Sequence, residues 1–134
     1  MIVEPYLFFG GRCEEAIEFY RKALGAETTA LMRYSESPEK GDIQTGWESK
    51  IMHANLRIGE ATIMVSDGAP GQKGNFQGFA LTISLSDEAR ARKMFQALAE
   101  TGETVMPLCK TFYSPLFGMI TDRFGVLWMI MVTA

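Results

Sequence analysis

A chain of 134 residues fits one domain and is long enough to bury a core. With 47% hydrophobic and 22% charged residues it is globular, which excludes a disordered chain. A net charge of −3 with dispersed basic residues excludes the basic face that nucleic acid needs, and no apolar run reaches the ~18 residues of a transmembrane helix. The opening Met1-Ile-Val-Glu-Pro-Tyr lacks the charged-then-apolar form of a signal peptide, so a cytoplasmic protein is the expectation.

In chain order, Pro5 to Phe9 reads as a short aromatic strand that Gly10-Gly11 breaks. Cys13 to Leu24 reads as a helix. Ala16, Ile17, Tyr20, Ala23 and Leu24 recur at helical spacing, with acids early and Arg21 and Lys22 late, and Gly25 stops it. Ala26 to Tyr34 is a predicted strand, and the polar stretch Ser35 to Glu48 a long loop. Ile51 to Ile58 alternates cleanly, with Ala54, Leu56 and Ile58 on one face and His53, Asn55 and Arg57 on the other. After a Gly59-Glu60 turn, Ala61 to Ser66 does the same, with Ile63 and Val65 opposed to Thr62, Met64 and Ser66. The glycine-rich stretch 68–78 reads as a connection.

The order then recurs. Phe79 to Leu85 is a strand, and a helix opens at Ser86-Asp-Glu with Ala91, Met94, Phe95 and Leu98 as its buried stripe. Gly102 ends that helix. Thr104 to Thr111, Leu116 to Thr121 and Val126 to Val132 are strands, and Asp122-Arg-Phe-Gly125 turns the chain into the last, apolar on both faces. A shift of 76 puts Leu7 on Ile83, Phe19 on Phe95 and Thr28 on Thr104; a shift of 65 puts Ala61 on Val126 and Met64 on Met129. One strand-helix-strand-strand-strand unit used twice is the simplest account. The expected organisation is therefore α+β: one domain with a first module over about 1–67, a connection and a second module over about 79–134.

These residues carry a resemblance. Pro5-Tyr6 with Phe9-Gly10, Ala16-Ile17 with Phe19-Tyr20, His53-Ala54-Asn55-Leu56-Arg57-Ile58, Ser66-Asp67, Phe117-Gly118, and Phe124-Gly125-Val126 with Trp128-Met129-Ile130 span nearly the whole chain. In that order they resemble the vicinal oxygen chelate superfamily, which includes glyoxalase I, bleomycin resistance proteins and extradiol dioxygenases. Within it the chain is similar to the PhnB-like proteins. The resemblance implies tandem βαβββ modules whose curved sheets enclose a cleft, with a homodimer expected. His53, Asn55, Arg57, Met64 and Ser66 would then face the cleft.

Metal-dependent members of the superfamily take His, Glu or Gln ligands from the first and last strands of each module. The corresponding positions here are Pro5, Met64, Ala80 (or Phe79) and Met129, none of them a hard donor. The expectation is no metal site and no cofactor. His53, the only histidine, is either a general acid/base or a satisfied strand residue. Arg57 either holds an anion or forms an edge ion pair. Glu48 and Asp67 are the other acids considered. Met64, Met129, Met131, Phe112, Tyr113, Trp47 and Trp128 either line an adaptable apolar pocket or pack the core; Trp128 is assigned to core, and Phe112 and Tyr113 to a pocket rim. Cys13 reads as a packing residue, and no methyl-donor fingerprint is present. The leading expectation is a metal-free protein binding an apolar or aromatic small molecule. The alternatives are a lyase, isomerase or transferase-type enzyme using His53, and a purely structural dimer partner.

Overall fold

The chain forms two compact units, residues 1–75 and 76–134. A computed structural model describes residues 1–38, 41 and 43–134; Glu39, Lys40 and Asp42 of the predicted loop lie outside the described residues.

In the first unit β1 (Tyr6–Phe8), α1 (Cys13–Leu24), β2 (Glu27–Arg33), β3 (Ile51–Ile58) and β4 (Ala61–Ser66) follow in order. The sheet order is β1-β4-β3-β2, with β1 parallel to β4 and the other pairs antiparallel. α1 packs on β3 and buries Cys13, Ala16, Ile17, Tyr20 and Leu24. Ala54, Leu56, Ile63 and Val65 are buried, as their alternation predicts. Each of the three larger side chains contributes about 1.5–3 kcal/mol on burial. Gly25 ends α1 in the left-handed region, its N–H donating to the Arg21 carbonyl.

The start of α1 is held differently from what its sequence suggests. Arg12 at the N-cap offers no side-chain acceptor. Asp67, buried just beyond β4, supplies it: Oδ1 accepts from Cys13 N at 2.8 Å and Oδ2 from Ile51 N at 2.7 Å. One carboxylate thus ties the helix start to the β3 start and the β4 exit. The stretch after Asp67, predicted to be a connection, is docked at Gly10. That glycine has φ +59°, and a Cβ there would lie 2.7 Å from Gly74 N and 2.8 Å from Gln72 O.

The second unit repeats the plan with β5 (Leu81–Leu85), α2 (Glu88–Ala99), β6 (Glu103–Cys109), β7 (Leu116–Thr121) and β8 (Leu127–Val132), in the order β5-β8-β7-β6. β5 begins at Leu81 rather than Phe79, which is exposed. Asp87 caps α2, accepting from Arg90 N at 3.1 Å. Ala91, Met94 and Leu98 are buried, while Phe95 is half-buried beside Gly118. Gly102 does not terminate α2 by a left-handed turn. A Cβ there would lie 2.2 Å from the Thr121 carbonyl oxygen, so its role is a close backbone approach. Asp122 organises the β7–β8 turn: Oδ1 accepts from Phe124 N and Val126 N, and Oδ2 from Trp128 Nε1 at 2.8 Å. Trp128 is core, as predicted. The two mixed four-stranded sheets, each with one helix, are the duplicated α+β unit expected from the repeat, in the arrangement that the resemblance implies.

Candidate ligand-binding face

The face of the first sheet turned away from its buried apolar side collects His53, Asn55 and Met64 of the predicted residues, with Arg57 at its edge. Strand register brings Tyr6, Met64, Asn55 and Ala30 into one row, since Tyr6 and Asn55 both pair with Met64 and Asn55 pairs with Ala30. Phe8 pairs with Ser66, and His53 with Met32, in the neighbouring positions. Tyr6, Phe8 and Met32 are exposed apolar groups, and His53, Asn55 and Met64 are half-buried. The Tyr6 and Phe8 rings stack with centroids 4.9 Å apart and planes at 23°.

His53 is held from both sides. Tyr6 Oη lies 2.8 Å from Nδ1, and Asn55 Oδ1 lies 2.7 Å from Nε2. Both ring nitrogens are therefore satisfied by the protein's own side chains. Burial raises the Tyr6 phenol pKa, and a hydrogen bond with Ser66 works against that rise. Tyr6 was absent from the predicted site. Its signal in the sequence was the Tyr-Leu-Phe alternation, which puts Tyr6 and Phe8 on one face of β1.

Other candidates fall elsewhere or are already engaged. Ser66 is buried, its hydroxyl donating to the Ile51 carbonyl and accepting from Gly68 N. Arg57 pairs with Glu27 at 3.4 Å, with 57% and 67% of their side chains exposed, so it is an edge ion pair. Asp67 is the structural tie described above, and Glu48 accepts from Gly46 N. Trp47 Nε1 and the Tyr34 hydroxyl both donate to the Gly68 carbonyl. Tyr34, Ile43, Trp47, Met52 and Pro70 line a separate cavity of about 270 Å³. Burial raises the Cys13 thiol pKa, with Asp67 adding to the effect, so this cysteine is a packing residue.

In the second unit Met129 sits in a methionine row. Met106 pairs with Met119, and Met119 with Met129. Thr82, in register with Met129, donates its hydroxyl to Sδ at 3.7 Å. Met106 and Met119 were missed as companions, although the predicted strands placed them in alternation. Phe112 is fully exposed between β6 and β7, edge-to-face with Tyr113, which meets Phe117 in turn.

The donor set does not fit the superfamily's metal. Pro5 offers only a carbonyl, which accepts from Met64 N at 3.0 Å, Ala80 offers no side-chain donor, and Met64 and Met129 offer soft thioethers. Among the described residues no three His, Cys, Asp or Glu side chains gather where a cation could sit.

Two such units, each a mixed four-stranded sheet with one helix, define a glyoxalase-like protein. The family model for the Glyoxalase/Bleomycin resistance protein/Dioxygenase superfamily matches residues 2–130, and the chain belongs to that superfamily. Protein YjdN of Escherichia coli (strain K12) is 36% identical over 140 residues, covering 98% of this chain and 95% of its own length. The crystal structure of protein PA1353 from Pseudomonas aeruginosa is 39% identical with a TM-score of 0.87, covering 99% of this chain and 98% of that one. The PhnB protein from Bacillus cereus superposes with a TM-score of 0.80 at 24% identity, over 99% of this chain and 100% of that one, so the chain is PhnB-like in fold. Among the described residues no helix is long and apolar enough to cross a membrane.

Proposed function

We propose that this chain is a cytoplasmic, homodimeric small-molecule binding protein that works without a metal. Its ligand is an apolar or aromatic compound received on the open face of the first sheet. The observation that carries this reading is the double engagement of His53 by Tyr6 and Asn55 beside the stacked Tyr6 and Phe8 rings. A general base needs a lone pair turned toward its substrate; here the imidazole instead stiffens a polar spot within an apolar surface, which suits orientation of a ligand. Met64 and Met32 supply adaptable, polarisable contacts around it.

A thermal-shift screen of planar aromatic compounds against chelator-treated, untagged protein tests the reading. Stabilisation by members of that class without added metal is expected; a shift with divalent metal alone, at one equivalent, overturns it. Light scattering checks the dimer.

One observation favours a second, enzymatic reading. An imidazole oriented by a side-chain amide is also how a general base is positioned. His53→Ala separates the two: turnover collapses if the residue moves a proton, whereas a face that only binds shows no turnover to lose and registers the change in ligand affinity alone.

A further inference from the structure

The polarity of the hydrogen bonds around His53 restricts which ligand the face accepts, an inference that deepens the proposed function and rests on it. Asn55 Oδ1 can only accept, so the 2.7 Å contact puts the imidazole proton on Nε2. The lone pair is then on Nδ1, and the Tyr6 hydroxyl donates to it across 2.8 Å. Each outer group is left with one polarity. Tyr6 Oη has committed its proton, so toward Ser66 and toward a ligand alike it can act only as an acceptor. Asn55 Nδ2 keeps two hydrogens that no hydrogen bond among the described residues uses. The neighbouring charges on this face, Arg57 and Glu27, are taken up in their own pair.

We propose that Tyr6 is the specificity-determining residue of this face, and that with Asn55 it selects a neutral planar ligand whose edge carries one donor and one acceptor, as in an aromatic carboxamide or lactam. A carboxylate of the same shape offers two acceptors and meets the Tyr6 oxygen with like polarity. The imidazole is the link between the two groups: it fixes which one donates and which one accepts.

Two measurements test this. His53 is the only histidine in the chain, so its side-chain ¹⁵N shifts read the tautomer without ambiguity. At pH 7.5 the Nε2-protonated form is expected, and an Nδ1-protonated ring overturns the proposal. The second compares benzamide with benzoate by NMR titration at the same pH. Benzamide is expected to bind about three- to tenfold tighter, the worth of one hydrogen bond, and Tyr6→Phe should bring the two within about twofold of each other. Benzoate binding as well as benzamide, or a preference unchanged in Tyr6→Phe, overturns the proposal. It also falls if neither compound shifts the resonances of Tyr6, Phe8 and Asn55. Toluene, which has no polar edge, then tells the two failures apart: shifts with toluene leave the binding face standing without its polar selection, and none with toluene removes both.

Discussion

Asp67 offers the sharpest stability prediction, because sequence alone leaves it as a candidate acid and the fold makes it a tie. Its two oxygens accept from Cys13 N and Ile51 N inside the first unit. A hydrogen bond to a charged acceptor contributes about 1.5–3 kcal/mol, and a buried N–H left without a partner loses its solvation as well. Asp67→Ala strands both N–H groups, so a loss of about 3–6 kcal/mol is expected, a large share of the roughly 5–15 kcal/mol that holds a domain of this kind. Asp67→Asn keeps one acceptor and turns an amide donor toward the other N–H, so it falls between wild type and alanine. Urea unfolding measures this as a fall in midpoint at constant m-value. Glu48→Ala, which removes a single acceptor from Gly46 N, serves as control and stays within about 0.5 kcal/mol. If both Asp67 variants also stay within about 0.5 kcal/mol, the tie does not exist as described.

Three further outcomes are expected. The native protein should titrate one thiol, the exposed Cys109, with a thiol reagent, and a second only after unfolding; two fast equivalents would show that Cys13 is not buried. Because the Cys13 pKa is raised on folding, its contribution to stability is complete below the ordinary thiol value of 9.0 and is lost as pH rises above it. The fall in urea midpoint between pH 8 and pH 10 should therefore shrink in Cys13→Ala, and an equal fall in both proteins contradicts the assignment. Gly10→Ala places a Cβ against Gly74 N and Gln72 O at positive φ, so it should destabilise by more than about 1 kcal/mol; an unchanged melting temperature would mean that the 72–74 stretch is not docked there.

The repeat was legible because it is written in core positions. The shifts of 76 and 65 carry Leu7 and Val65 onto Ile83 and Ile130, and those are the pairs that meet in register, Leu7 with Val65 and Ile83 with Ile130. α1 and β3 have the predicted bounds because periodicity and stop signals agree there. Cross-strand partners are less accessible to local pattern. Tyr6 reaches His53 over 47 positions, and Asp67 reaches Cys13 over 54, so neither bond leaves a mark in the neighbouring sequence. Gly102 reads as a helix stop, but its purpose is to let the Thr121 carbonyl approach. Ser66 has the parity of the open face, yet the turn after β4 folds its hydroxyl onto Gly68 N.

The most direct test of a metal-free binding face is a two-dimensional NMR screen of aromatic carboxamides and hydrocarbons against chelator-treated protein. The account predicts saturable shifts centred on Tyr6, Phe8, Asn55 and Met64 that are unchanged when divalent metal is restored. Shifts that appear only with one equivalent of bound metal, or that leave those four residues untouched, would contradict it.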